Sequence, residues 1–476
     1  METADTRRGA LIGGSWHAAP DGRTFTVHDP ATGAAIAEVA DCGPELAGRA
    51  VDAAAAALPL WRALPAHERA LLMRRAADEL AGRAEAIGAT MTAEQGKPLA
   101  EAVAEVRSGA DHLLWAAEEA RRVYGQTVPG AAEGNRIWLM PEPVGVVAGI
   151  TPWNFPVSMI TRKLGPALAA GCTVVLKPAE LTPLSAIAAA EAFAAAGLPP
   201  GVFNVVPTSE PARFAEVVMA DRRVRKVSFT GSTEVGKELI RQSADDVKRM
   251  SVELGGHAPV LVFPDADPVA AATAVARSKF LNAGQACTSP NRIFVHRRVA
   301  AEFTAALVGH AEAVTPGVDM GPLIDAAALA KVTRHVDDAL AGGARALTGG
   351  RPLDRPGTFY PPTVLAGVTD DMLVCREETF GPVAPVIEFE DVEGVVARAN
   401  ATPYGLTAYV WTSDLTRTVR VAEELRFGMV TVNGGPLAPP QAPFGGVKNS
   451  GYGREGGSLG VSDYLDYKYL SVGLGR

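Results

Sequence analysis

Cysteine is scarce in this 476-residue chain: Cys42, Cys172, Cys287 and Cys375 lie far apart, with no C-x-x-C pair. The histidines form no cluster at metal-ligand spacing. Neither a disulfide framework nor a zinc site is expected, no metal is called for, and a reducing cytoplasm fits best. Positive charge is not in excess either. The 45 Lys and Arg against 53 Asp and Glu leave a net charge of −8, which argues against nucleic acid or an anionic membrane as the main partner. The pairs Arg74-Arg75 and Arg121-Arg122 read as solvated helix faces. No uninterrupted apolar run approaches the roughly 20 residues that a membrane span needs. Residues 1–8 are charged and the apolar stretch at 10–15 is short, so no signal peptide is expected. Internal repeats and low-complexity segments are missing as well.

What is present is the composition of a globular protein, 47% hydrophobic and 21% charged. At this length two or three domains are expected, with ample core to bury. Residues 45–125 are rich in Ala, Leu, Glu and Arg at helical spacing, interrupted at Pro59, Pro65 and Pro98. Three or four helices are expected there, the last over 99–124. From Pro143 strand–helix alternation takes over, with strands at 144–150, 173–176, 202–206, 226–229 and 249–253 and helices at 158–170 and 183–196. Strands apolar on both faces and separated by helices indicate parallel βαβ units. A second α/β stretch spans 258–426, its clearest strands at 260–263, 292–295, 383–389 and 408–410. Segments 127–141 and 463–472 read as additional strands in need of a partner sheet, which another subunit could provide.

Three features carry chemistry. Asn282-Ala283-Gly284-Gln285-Ala286-Cys287-Thr288 sets a thiol among small residues, with room for a carbonyl compound beside it. A thiolate is both nucleophile and leaving group, so it can add to a carbonyl and later release an acyl group; a buried inert cysteine is the plain alternative. Glu253 ends a strand and is followed by Leu254-Gly255-Gly256. It is either a turn cap or a carboxylate free to activate water. Asn154, inside Pro152-Trp153-Asn154-Phe155-Pro156, is either a turn former or an amide donor for an oxyanion. Gly231-Ser232-Thr233-Glu234-Val235-Gly236 follows a strand and opens a helix, a setting that suits phosphate. It is not the dinucleotide fingerprint, so the pattern alone is weak. Lys177 and Glu180 could be no more than a surface ion pair.

Those segments, with Lys177-Pro178-Ala179-Glu180, Phe229-Thr230-Gly231-Ser232, Glu378-Thr379-Phe380-Gly381-Pro382 and Pro443-Phe444-Gly445-Gly446, stand in the order and at roughly the spacing of the NAD(P)-dependent aldehyde dehydrogenase superfamily, which the chain resembles over nearly its whole length. The resemblance implies an α/β fold in three parts. These are a Rossmann-like NAD-binding domain from 1–126 and 143–252, an α/β catalytic domain over 253–455, and a small β oligomerisation arm from 127–142 and 456–476. A homodimer or homotetramer is implied. Among catalytic residues it implies Cys287 as nucleophile, Asn154 with the Cys287 backbone N–H as oxyanion donors, Glu253 as the base for deacylation, and Lys163. For the cofactor it implies Trp153, Lys177, Glu180, Gly231, Ser232, Val235, Leu254, Glu378 and Phe380. Lys177 and Glu180 would take the adenosine ribose, Ser232 the pyrophosphate, and Glu378 and Phe380 the nicotinamide end. A carboxylate at 180 repels a 2′-phosphate, so NAD is expected, with NADP as the alternative. The implied partner is a small-molecule aldehyde.

Within the superfamily, Met159-Ile160-Thr161-Arg162-Lys163 and the stretch 446–456 are most similar to succinate-semialdehyde dehydrogenases. Arg162 would then hold the substrate's distal carboxylate, with Phe155, Leu281 and Phe444 lining the same site. The chain departs from that group in two places. Lys279-Phe280-Leu281-Asn282 lacks the second arginine usual there, and the loop 434–441 is more apolar. One charge-assisted contact in place of two predicts weaker binding of succinic semialdehyde, and an apolar aliphatic or aromatic aldehyde is the alternative substrate. Coenzyme-A-acylating relatives lack the glutamate present here at 253. A non-enzymatic relative should have lost Cys287 or Asn154. Ser289 stands where some relatives carry a redox-active second cysteine, so no such switch is expected.

Overall fold

The computed structural model describes residues 8–435 and 438–474. Residues 1–7 of the charged start, together with Pro436 and Leu437 of the apolar loop, lie outside the described residues.

Five parallel strands form the centre of an eight-stranded sheet, in the spatial order Arg249–Glu253, Val224–Thr230, Val146–Ile150, Thr173–Lys177 and Phe203–Val205. Antiparallel strands close its edges, Gly451–Tyr452 on one side and Ala10–Ile12 with Ser15–His17 on the other. Val146–Ile150 and Thr173–Lys177 are buried at every position, as strands covered by helices on both faces must be. From Val146–Ile150 the chain winds outward through Thr173–Lys177 and Phe203–Val205. It then crosses back to lay Val224–Thr230 on the other flank. At such a reversal the carboxyl ends of the strands leave a crevice, the usual ligand site of open α/β sheets. Pro152–Pro156, Lys177, Thr230–Ser232 and Glu253 all fall at that edge.

The second body is a seven-stranded sheet: Arg345–Thr348, Thr363–Ala366, Val383–Phe389, Pro290–His296, Ala258–Val262, Thr407–Trp411 and Met429–Val432 in spatial order. All its pairs are parallel except the first. Its amino ends matter here. Gly256 precedes Ala258–Val262, Cys287 precedes Pro290–His296, and Glu378 and Phe380 precede Val383–Phe389. The carboxyl edge of one sheet therefore supplies one wall of a cleft, and the amino edge of the other supplies the facing wall.

The helical region before the first sheet comprises Pro44–Ala63, Ala66–Gly82, Ala84–Gln95 and Leu99–Glu119. Pro59 lies inside the first without ending it, and the last stops at Glu119 in a 3-10 turn, short of Tyr124. Short strands at Ala10–Ile12, Ser15–His17, Thr24–His28, Ala35–Ala40, Arg345–Thr348, Thr363–Ala366 and Met429–Val432 had no legible period. Runs of three to six residues between turns are set by their neighbours. The chain also recrosses earlier than a catalytic domain ending at 455 implies. Gly451–Tyr452 joins the first sheet beside Val252 and Glu253, and helix Gly457–Ser462 packs on Ser158–Ala170. Of the expected 456–476 portion, Leu465–Gly473 forms the arm sheet with Asn135–Pro143 and Gln126–Pro129. Among the described residues no helix is long and apolar enough to cross a membrane.

Candidate active site

Helix Pro268–Phe280 runs into a turn, Leu281–Gly284, in which Asn282 (φ 49°), Ala283 (φ 54°) and Gly284 (φ 72°) are all left-handed. Each non-glycine residue there costs about 1–2 kcal/mol, so the surroundings must hold the turn in place. Asn282 Oδ1 accepts from Gln95 Nε2 at 2.8 Å, its Nδ2 donates to Asn154 O at 2.9 Å, and its backbone N–H donates to Glu101 at 3.0 Å. Gln285 Oε1 accepts from Ile324 N at 2.8 Å. Two glycines permit the close fit. A Cβ on Gly284 would stand 2.1 Å from Gly381 O, and one on Gly256 would stand 2.3 Å from Cys287 O.

The turn delivers Cys287, half-buried, to the junction of two cavities. One, of about 500 Å³, opens toward Leu99–Glu119 and holds Phe155, Arg162, Leu281 and Phe444 in its wall. The other, of about 300 Å³, is walled by Trp153, Asn154, Gly231, Ser232, Leu254, Glu378 and Phe380. Burial pushes the Cys287 thiol up to about 12, and the nearby carboxyls Glu378 and Glu253 add to the rise. Asn154 is buried at the junction, and its Nδ2 donates to Gln285 O at 3.0 Å. An amide nitrogen carries two hydrogens, so one remains for an oxygen bound beside the sulfur.

Glu253 lies behind this junction and lines neither cavity. Its carboxyl is buried and its Oε2 has no hydrogen-bond partner. Burial raises its pKa well above the usual carboxylate range, and the like charge of Glu455 raises it further. Lys163 donates to Glu455 Oε1 and to Thr230 Oγ1, each at 2.7 Å. Lys163 therefore meets Glu253's neighbour, and no hydrogen bond joins it to Glu253 itself.

The second cavity suits a dinucleotide. Glu378 Oε1 accepts from Gly256 N at 2.9 Å, and burial lifts this carboxyl to about 7. Trp153 and Phe380 meet edge to face at 5.6 Å, and Phe380 is itself left-handed at φ 55°. Ser232 caps helix Thr233–Ser243 by accepting from Val235 N at 3.3 Å, so a helix N-terminus faces the cleft, a place that favours phosphate. Lys177, buried, donates to the partly exposed Glu180 at 2.6 Å. Lys177, Glu180 and Val235 stand outside the enclosed cavity, along the same sheet edge. The groups on this side of the molecule are two carboxyls, Glu378 and Glu180, and a helix N-terminus capped by Ser232.

Residues 16–470 match the aldehyde dehydrogenase family. The chain belongs to that family. A glutarate-semialdehyde dehydrogenase of Pseudomonas aeruginosa is 47% identical over 98% of each chain. An NADP-dependent succinate-semialdehyde dehydrogenase of Escherichia coli is also 47% identical over 98% of each. The solved structure of succinate-semialdehyde dehydrogenase from Burkholderia pseudomallei superposes with a TM-score of 0.96, at 47% identity over 99% of each chain.

As an NAD(P)-dependent aldehyde dehydrogenase, this protein places its acid-binding candidate at the wall of the larger cavity. Arg162 is buried, its guanidinium over the Phe444 ring at 4.8 Å, with Nε and Nη1 unpartnered. Lys97 in the same wall is already paired with buried Glu105 at 2.6 Å and donates to Asn154 O at 2.8 Å. Glu101 accepts from Asn282 N. His112 is driven down to about 3 by burial and by Arg162, so it contributes no charge. Leu281 faces this cavity and is 40% exposed.

Sequence reasoning missed Glu455, Gln95 and the Lys97–Glu105 pair. Glu455 stood in a quoted motif without a role, because it reaches Glu253 only through tertiary pairing: Gly451–Tyr452 joins Glu253's strand, and Glu455 bridges to Phe444. A buried Lys97 and Glu105 eight residues apart look, in sequence, like two solvated charges.

Proposed function

We propose that this chain oxidises a semialdehyde, an aldehyde with a carboxylate at its far end, to the dicarboxylic acid with NAD as electron acceptor. Arg162 carries this reading, because a buried guanidinium with unpartnered N–H groups is costly unless a ligand satisfies it. The substrates in the names of the Pseudomonas and Escherichia relatives both end in a carboxylate. Cys287 gives up its thiol proton to solvent water as the sulfur adds to the aldehyde carbon, the C=O π pair moves onto oxygen, and that oxyanion accepts from Asn154 Nδ2 and the Cys287 backbone N–H. Trp153, Leu254, Glu378 and Phe380 hold the nicotinamide end, Gly231, Ser232 and Val235 the pyrophosphate, and Lys177 and Glu180 the adenosine ribose. NAD bound there supplies the hydride acceptor, and the two-electron oxidation leaves a thioester on Cys287. Glu253, withdrawn from both cavities, swings in to take a proton from the water that releases the acid. Lys163 holds Glu455 in place behind it.

Replacing Arg162 with leucine should raise KM for a semialdehyde roughly 10- to 100-fold, the worth of a lost charged hydrogen bond. A neutral aldehyde of the same length should change little. Equal effects on both would favour an apolar aldehyde.

NAD should give the higher kcat/KM, because Glu180 meets a 2′-phosphate with like charge. Glu180→Ser should shift the NAD-to-NADP ratio at least about tenfold toward NADP. Wild-type preference for NADP in the same assay would overturn the assignment. The Escherichia coli relative is named for NADP, so family membership leaves this choice to individual residues.

The arm supports self-association. Asn135–Pro143 and Leu465–Gly473 pair Trp138 with Leu470 and Leu139 with Tyr469, which puts apolar side chains on both faces of a thin sheet. Trp138, Tyr467 and Tyr469 are exposed; a second copy covering them gives a homo-oligomer. Four free cysteines support a reducing, cytoplasmic setting.

A further inference from the structure

Lys279 is one residue from the end of helix Pro268–Phe280 and is completely buried. Its ammonium has no carboxylate partner among the described residues. It donates instead to Asn291 Oδ1 at 2.8 Å and to Ser289 Oγ at 3.2 Å. Asn291 Nδ2 has no partner, so that amide is oriented by Lys279 alone. A lysine kept only to fill space would be expensive, since methionine has similar reach and no charge to desolvate.

The placement of the three residues explains the expense. Lys279 precedes the left-handed turn at Asn282–Gly284, while Ser289 and Asn291 follow Cys287 and lead into strand Pro290–His296. The side chain thus ties the two ends of the 280–288 segment together at its neck. Upstream, the Asn282 contacts with Gln95, Glu101 and Asn154 hold the strained turn. Downstream of the thiol, Lys279 is the tie that returns to the helix.

We infer that Lys279 is a positioning residue, a staple across the neck of the loop that keeps the Cys287 sulfur at the junction of the aldehyde and cofactor cavities. The inference rests on Cys287 being the nucleophile. Burial brings the Lys279 amine down to about 7, against the attraction of Glu378, and either protonation state retains N–H donors for both acceptors.

The test compares wild type with Lys279→Met, Lys279→Met/Asn291→Leu and Cys287→Ala. Steady-state kinetics, NAD binding and melting temperature are measured for each, and the rate of Cys287 alkylation by iodoacetamide for those that keep the thiol, with Cys287→Ala as the blank. Lys279→Met should lower kcat roughly 10- to 100-fold, the effect of a displacement on the order of 1 Å, slow Cys287 alkylation, and leave NAD affinity unchanged. The double variant removes both members of the Lys279–Asn291 hydrogen bond and leaves only the small Ser289 hydroxyl, so it should regain melting temperature while kcat stays low. A kcat near wild type in Lys279→Met, or recovery of kcat together with melting temperature in the double variant, overturns the staple. If Lys279→Met does not fold, Ser289→Ala removes one contact. It should lower kcat about two- to fivefold at unchanged melting temperature, and an unchanged kcat overturns the proposal. Activity in Cys287→Ala would instead refute the nucleophile reading, so the two failures are distinguishable.

Discussion

Replacing Cys287 with alanine should lower aldehyde oxidation by on the order of 10⁴-fold or more, the scale seen when a covalent nucleophile is removed. No neighbouring group can replace it. Cys42, Cys172 and Cys375 are buried elsewhere, and the described side chains at the junction of the cavities include no other thiol. NAD affinity should hold, because the candidate contacts lie on Trp153, Lys177, Glu180, Ser232, Glu378 and Phe380. Isothermal titration with NAD and NADH absorbance with a semialdehyde check the two halves separately. Substantial turnover in the variant would sink the covalent route. The unliganded thiol is also expected to be sluggish toward iodoacetamide near neutral pH. Burial and two nearby carboxyls push it up to about 12, so its alkylation rate should climb as pH rises.

Glu253→Gln should produce a burst of NADH close to one equivalent of active sites, then turnover slowed roughly 10²- to 10⁴-fold, the usual contribution of a general base. Glutamine keeps the shape and cannot accept the proton of the attacking water. The pH profile supplies a second readout. Burial and Glu455 raise the Glu253 pKa above the carboxylate range, so the basic form is lost as pH falls through that raised value. The deacylation rate of the wild type should therefore rise with pH across that window, and the glutamine variant should lose this limb. Stopped-flow traces across pH give both results. Unchanged steady-state turnover would make Glu253 a structural residue.

Much of this was legible because the chemistry is local. The βαβ series was readable because strands buried on both faces are apolar throughout, as Val146–Ile150 is. Cys287, Glu253 and Asn154 stood out because each is framed by small or turn-forming residues. The burial of Glu253 beside a second carboxyl was not legible, since Glu455 lies 202 positions further along the chain. Nor were the short edge strands, whose pairing partners, not their own periodicity, define them.

By itself the sequence determined the chemical parts: a thiol, an amide and a carboxylate near the ends of strands, and a serine that opens a helix. Local propensity and small-residue spacing suffice for that, because each motif needs only a few consecutive residues. The tertiary structure alone decided how they face one another. It set the carboxyl edge of one sheet against the amino edge of the other, which put Cys287 between two cavities. It left Arg162 unpaired while giving Lys97 to Glu105, and it stretched Lys279 across the neck of the strained turn. Those outcomes depend on which charges are desolvated together, and desolvation is a property of packed neighbours distant in sequence.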